Sequence, residues 1–197
     1  LETLQRLLAR QAEFPRSAPF HADLIEYVSQ AISTARPPGI IAALRDEFEE
    51  VEILSFVLLL FGAAIETTTA GIGFALFELA TDPQLRALLI RHPDQIGAFV
   101  NEVLRLYSPL GYCPRVTLEE ITIGGVRVPP LTELELSLRT LNLASGYLIT
   151  CGDDKIRGRP FYSFGAGSRR CLGMHVARAQ LIVLVAEFVR RIPSFTV

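Results

Sequence analysis

Phe164-Gly165-Ala166-Gly167-Ser168-Arg169-Arg170-Cys171-Leu172-Gly173 places one cysteine at the end of a glycine-rich turn. Residues 172–190 follow with apolar positions recurring at a helical period. Glycines let backbone N–H groups approach a sulfur closely. The positive N-terminal end of a following helix favours a negative charge beside it, so it suits a thiolate. Arg169, two residues before the cysteine, can hold a carboxylate through a bidentate fork. The combination suits a single thiolate aimed at a metal cofactor. A glycine turn before a helix is common, however, and a lone cysteine is most often a small buried hydrophobe. The complete spacing F-x-x-G-x-R-x-C-x-G, not the cysteine alone, carries the reading.

The chain has 197 residues, enough for one domain with a sizeable core. Its net charge of −2 gives no case for nucleic acid. Half of the residues are hydrophobic and the mean hydropathy is +0.34. Such values imply either that much surface is covered by something else or that a segment meets a membrane. The three cysteines, Cys113, Cys151 and Cys171, form no C-x-x-C pair. That excludes a disulfide framework and a standard structural zinc site, and fits a reducing compartment. The chain starts at Leu1 and its only methionine is Met174, so part of a longer protein is expected.

Residues 1–14 and 22–33 carry amphipathic helix patterns, and Pro37-Pro38-Gly39 breaks the chain before a third over 40–48. Residues 53–80 form a long apolar run, interrupted by Glu66 and Thr67-Thr68-Thr69 and ended by Asp82-Pro83. Its length suffices for a bilayer. Glu66 near the middle would be costly in lipid, which favours a buried central helix. Short helices are expected over 82–92 and 93–107, the second with Pro93 in its first turn. Residues 121–128 alternate around Gly124-Gly125 and predict a β-hairpin. Leu134, Leu136 and Leu138 alternate as a strand, and residues 139–163 read as an irregular meander.

Other constellations carry chemistry. Glu66 and Thr67 put an acid and a hydroxyl inside an apolar helix, where burial is costly unless they are paired or functional. A threonine can bond back to the carbonyl four residues earlier and bend the helix. A locally opened helix can hold water and relay protons; a capped or kinked core helix is the plainer alternative. Glu102-Val103-Leu104-Arg105 sets both charges on one helix face, a common surface arrangement. Arg169, Arg170 and Arg178 make a basic cluster that would attract an acidic protein, or simply be solvated. His175, four residues after Cys171, reads as a helix-surface histidine.

The spacing around Cys171 resembles the haem-binding signature of the cytochrome P-450 family. The continuation Met174-His175-Val176-Ala177-Arg178 resembles the start of that family's next helix. Ala63-Ala64-Ile65-Glu66-Thr67-Thr68 resembles its central oxygen-activating helix, with Ala64 in place of the usual glycine. Glu102 and Arg105 resemble its E-x-x-R pair, whose role is structural. Asn142 stands where the family's Asn-Arg-Asp-Pro begins, followed here by Leu143-Ala144-Ser145. Lys155 stands near the arginine that completes the E-x-x-R lock, with Arg157 and Arg159 as alternatives.

The resemblance, closest in style to soluble bacterial members, implies a mainly α fold with a small β part. It implies one partial domain over residues 1–197, the C-terminal half of a P-450 domain, with the N-terminal half absent. Haem b would be bound through Cys171, with Phe164, Gly165, Gly173 and Ala63 around it and Arg115 and Arg169 holding its propionates. Residues 109–114 would contact substrate. Glu66 and Thr67 would deliver protons while one oxygen atom of O2 enters a small apolar organic substrate. Electrons would come from NAD(P)H through a ferredoxin or reductase-type donor. A cytoplasmic location without membrane attachment is expected. The alternatives are an inactive remnant or half-domain needing a separate N-terminal chain, and a haem carrier or sensor without oxygen chemistry.

Overall fold

The structure is a computed structural model, and it describes residues 22–149, 151–152 and 155–195. The expected helix over residues 1–14 lies outside the described residues. The chain divides into two compact units, Leu1–Ala63 and Ala64–Val197.

In the first unit, helix α1 (Ala22–Thr34) repeats apolar residues every fourth position. Leu24, Val28 and Ile32 therefore share one stripe, buried with Ile53 and Val57. Helix α2 (Ile40–Leu44) stops four residues short of its expected end. The acids that follow explain the stop. Asp46, Glu47, Glu49 and Glu50 would sit badly at a helix C-terminus and sit well at the N-terminus of the next helix. Glu50 and Glu52 occupy the first turn of α3 (Glu50–Thr81), and the Glu52 carboxylate accepts from the Glu49 N–H at 2.9 Å.

Helix α3 is an unbroken α-helix for 32 residues. The expected opening near Ala63 is not there. The segment holds no proline, and threonines or single glycines do not by themselves break an i to i−4 ladder. Its end is as sharp as Asp82-Pro83 predicts. The Asp82 carboxylate accepts from the N–H groups of Gln84 (3.0 Å) and Leu85 (2.9 Å), and Pro83 opens helix α4 (Pro83–Arg91).

The second unit is built around α5 (Ile96–Tyr107), which follows a single 3-10 turn at Pro93–Gln95. Ile96, Phe99, Val100, Val103 and Leu104 fall on one face. They are buried against Ala75 and Leu79 of α3, the leucines of α4, and Leu181, Val185 and Val189 of α7 (Met174–Arg191). Gly71 permits the close approach of α3 to α7, because a Cβ there would meet both Leu181 methyls at 3.4 Å.

The small β part comprises three two-stranded antiparallel ladders among the described residues. Strand β1 (Tyr112–Val116) pairs with β4 (Glu133–Ser137), from Tyr112 opposite Ser137 to Val116 opposite Glu133. The expected hairpin forms between β2 (Ile121–Ile123) and β3 (Val126–Val128). Gly124 and Gly125 turn it with φ of +56° and +83°, a backbone that favours glycine at both positions. Pro114 hides β1 in the sequence, yet a two-stranded edge tolerates a proline.

Two expectations fail here. The strand ends at Ser137, and Leu138 begins helix α6 (Leu138–Leu143). Ser137 Oγ caps that helix at the Thr140 N–H (3.2 Å), while Leu138 and Asn142, one turn apart, are both buried. The supposedly irregular stretch thus holds α6 and a short ladder of β5 (Cys151–Gly152) with β6 (Lys155–Ile156).

Candidate functional site

The Glu102–Arg105 pair on α5 is a fully buried ion pair, not a surface one, and both side chains are 0% exposed. Arg105 Nε donates to both Glu102 oxygens (3.0 and 3.1 Å), and Nη2 donates to Oε2 (2.9 Å). Its remaining nitrogen, Nη1, donates to the carbonyls of Asn142 (3.0 Å) and Gly146 (2.6 Å). Burying two charges costs several kcal/mol each unless every donor and acceptor is used. Among the described residues no buried side-chain polar atom lacks a partner.

Arg159 completes the arrangement. Its backbone N–H donates to Glu102 Oε1 (3.1 Å), its guanidinium lies 3.6 Å from Glu102 Oε2, and its Nη1 donates to the Leu148 carbonyl (3.0 Å). Lys155 does not take this place: it is exposed on β6, as is Arg157 beyond it. The physical reason is reach: Arg159 alone of the three brings both its backbone N–H and its guanidinium to Glu102, and its planar fork also meets the Leu148 carbonyl. Gly146 makes room, since a Cβ there would come within 3.3 Å of Arg159 Nη1.

The cysteine loop is closed by its own backbone. The Gly165 N–H donates to the Tyr162 carbonyl (2.7 Å), the Arg170 N–H to Gly167 (3.2 Å), and the Cys171 N–H to Phe164 (2.8 Å). Gly165 and Gly167 hold φ of +67° and +68°, which side chains disfavour. Phe164 anchors one end of the loop by packing on the core of the second unit. Cys171 is exposed and stands three residues before α7 begins. Gly173 lies beside the thiol: a Cβ there would lie 4.0 Å from Cys171 Sγ, at ordinary contact distance. Among the described residues no group of three or more His, Cys, Asp or Glu side chains could hold a metal ion. One exposed thiol at a helix N-terminus, with no companion ligands, fits a metal that brings its other ligands with it, as haem iron does.

The other expected residues are more dispersed. Arg169 lies exposed in the 3-10 turn Gly167–Arg169 and Arg170 is exposed beside it. Arg178 is half-buried, and its Nε donates to Asn101 Oδ1 (2.9 Å) and ties α7 to α5. His175 is on the surface of α7, as expected. Arg115 is exposed on β1 with its Nη1 on the Pro114 carbonyl (2.7 Å). Thr67 is half-buried, whereas Glu66 is exposed and not enclosed in apolar surroundings. Ala63 is exposed and belongs to the first unit.

Helix α3 is also not the buried helix that its hydropathy suggested. It is long and apolar enough to cross a membrane by length and composition, and only 6% of its most apolar window is buried. Val51 and Leu59 are 67% and 66% exposed. Nearer its end, Tyr107 of α5 donates its phenol to the Glu78 carboxylate and stacks on Phe74 at 4.8 Å. Burial, then the hydrogen bond to Glu78 and its charge, pushes the Tyr107 pKa up to about 12.

Residues 20–145 match the model of the family described as Cytochrome P450. The chain belongs to the cytochrome P450 family. The match includes the Glu102–Arg105 pair and ends before Cys171. A biotin biosynthesis cytochrome P450 of Bacillus subtilis is 33% identical over 153 residues, covering 76% of this chain and 38% of that protein. A vitamin D(3) 25-hydroxylase of Pseudonocardia autotrophica is 32% identical over 141 residues, covering 68% of this chain and 34% of that protein. This P450 chain therefore spans less than half the length of the curated relatives it matches. Among solved structures, P450BioI in complex with an acyl carrier protein ligated to hexadec-9Z-enoic acid superposes with a TM-score of 0.76. It is 29% identical and covers 87% of this chain and 46% of that one. CYP109E1 from Bacillus megaterium in complex with corticosterone gives a TM-score of 0.80 at 25% identity, covering 87% of this chain and 50% of that one. The mainly helical fold with a small β part is the P450 fold.

Asn142, whose carbonyl accepts from Arg105, is a residue that motif reading underrated. The only signal was Asn142 at the start of a family motif whose next residues are lost here. Arg159 was one of three candidates that spacing left undivided.

Proposed function

We propose that this chain carries the haem-thiolate site of a cytochrome P450 monooxygenase, with Cys171 as the iron's thiolate ligand. The observation that carries the reading is the self-closed loop from Phe164 to Cys171, which presents an exposed thiol at the start of α7. When bound, the haem supplies the activation of O2 that lets one oxygen atom enter an apolar organic substrate.

The chain's own residues have distinct tasks. Cys171 binds the metal, and the aligned amides of α7 favour its negative charge. Phe164 packs the loop to the core, Gly165 supplies the positive φ that the loop needs, and Gly173 stands beside the thiol. Arg115 and Arg169 are exposed guanidiniums suited to the two propionate carboxylates. Glu66 and Thr67 hold and move protons at a carboxyl and a hydroxyl on α3. Ala63 presents no more than a methyl group.

Electrons would arrive from NAD(P)H through a ferredoxin or reductase, and exposed Arg169 and Arg170 suit an acidic donor. A small apolar substrate agrees with the hexadec-9Z-enoic acid and the corticosterone in the complexes of the two solved neighbours. A cytoplasmic location agrees with the bacterial relatives, and Glu66 in the middle of α3 would be costly in lipid.

The exposed apolar length of α3 favours a second reading, in which the activity resides in a fuller P450 domain whose additional chain covers Val51 and Leu59. The deciding experiment loads the chain with haem, reduces it, adds carbon monoxide and compares it with Cys171→Ala. A thiolate-type Soret band that the variant loses is expected. A band indifferent to Cys171 overturns the ligand assignment. Failure of both proteins to take up haem selects the second reading.

A further inference from the structure

Cys171 sits far along the chain from Arg105, yet a continuous series of hydrogen bonds joins them. Arg105 Nη1 donates to the main-chain carbonyl of Asn142 (3.0 Å). The Asn142 side chain, fully buried, then grips the segment that leads into the cysteine loop. Its Oδ1 accepts from the Tyr162 N–H (2.6 Å) and its Nδ2 donates to Ser163 Oγ (2.8 Å). Ser163 Oγ donates onward to the Leu104 carbonyl (2.6 Å), back in α5 beside Arg105. The loop's own bonds continue the series, from the Tyr162 carbonyl to the Gly165 N–H and from the Phe164 carbonyl to the Cys171 N–H.

The directions of these bonds are forced. A backbone N–H can only donate, so the oxygen of the Asn142 amide faces Tyr162 and its NH2 faces Ser163. A carbonyl can only accept, so the Ser163 hydroxyl gives its one proton to Leu104 and receives from Asn142. Aspartate in place of Asn142 would retain the acceptor and lose the donor; leucine would lose both. No other side chain of this size meets both demands at once. Asn142 needs α6 to face α5, which explains why Leu138 and Asn142 are the buried pair of that short helix.

We infer that Asn142 and Ser163 are positioning residues for Cys171. They carry the rigidity of the buried Glu102–Arg105–Arg159 cluster into the loop that presents the thiol. The inference rests on the proposed role of Cys171 as ligand, but the clasp itself can be measured without any cofactor.

The test uses the full chain with Ser163→Ala and Asn142→Asp, and reads amide hydrogen exchange in residues 162–171 beside exchange in α5 and α7. A lost hydrogen bond of ordinary strength corresponds to about a tenfold change in a local opening equilibrium. The expected result is about tenfold faster exchange at the Gly165 and Cys171 amides in Ser163→Ala, with α5 and α7 unchanged. Should Asn142→Asp fail to fold, Ser163→Ala decides alone. Unchanged exchange in the loop, or an equal rise everywhere, overturns the inference. The second readout is the reduced carbon monoxide spectrum of the haem-loaded proteins, where Ser163→Ala is expected to lower the thiolate-type fraction several-fold. If the unaltered chain shows no thiolate-type band, the ligand role of Cys171 fails, and the exchange data still judge the clasp. If it shows that band and Ser163→Ala shows it equally, the clasp does not position Cys171.

Discussion

Glu102 and Arg105 show how little a short motif says until its surroundings are known. On an exposed helix such a pair contributes a few tenths of a kcal/mol. Here both partners are inaccessible and every polar atom is used. Removing either leaves an uncompensated buried charge, at a cost of about 3–5 kcal/mol. Arg105→Ala is expected to lower the unfolding free energy from urea titration by that amount or to prevent folding, and Arg105→Lys to recover only part of it, because lysine lacks the planar fork that serves two carboxylate oxygens and two carbonyls together. A urea midpoint for Arg105→Lys equal to that of the unaltered chain would show the fork to be dispensable.

Tyr107 gives the same scale a pH dependence. Its phenol ionises near 10.0 when unfolded and at about 12 in the fold. Between those values the unfolded chain has released a proton that the folded chain keeps. Stability from this group is therefore complete below about pH 10 and is lost as pH rises toward 12. Tyr107→Phe is expected to flatten the alkaline decline in stability over that window. Identical alkaline declines for the two proteins, followed by circular dichroism, would contradict the assignment.

Among the elements, α4 owes its start to one side chain. Asp82 satisfies two N–H groups that have no partner within the helix, with Pro83 supplying the first helical residue. Asp82→Ala is expected to cost about 1 kcal/mol, and Asp82→Ser considerably less, because serine can still accept. A thermal melt that ranks alanine and serine equally would place the stabilisation elsewhere. The meander taught the opposite lesson. Its α6 has no useful periodicity, and it forms because Ser137 caps it and because Leu138 and Asn142 find buried partners.

At the scale of the whole molecule the salient fact is the uncovered apolar length of α3. Val51 and Leu59 face outward on a helix long and apolar enough to cross a membrane. Exposed apolar patches of this kind mark surfaces that another body covers. Replacing both residues by glutamine is expected to reduce binding of a hydrophobic dye and self-association while leaving the unfolding free energy within about 0.5 kcal/mol. A large loss of stability instead would show that these side chains are already packed. The P450 membership and the fold likeness set the frame for that experiment, since the relatives are more than twice as long as the residues they share with this chain.

Local chemistry determined much of this protein directly from its sequence. The cap at Asp82, the glycine hairpin at Gly124-Gly125, the stripe on α5 and the cysteine loop depend on residues within a few positions of one another, so their spacing suffices. The E-x-x-R pair was visible as a pair, but not as a buried one. Tertiary structure alone decided which basic residue completes it, because Lys155, Arg157 and Arg159 differ by a few positions in sequence and by everything in reach. It also tied Arg178 to Asn101, made a helix of residues 138–143, and left Glu66 exposed. The physical reason is common to all four. Burial and long-range hydrogen bonding depend on what the rest of the chain brings to a residue, and no local period records that.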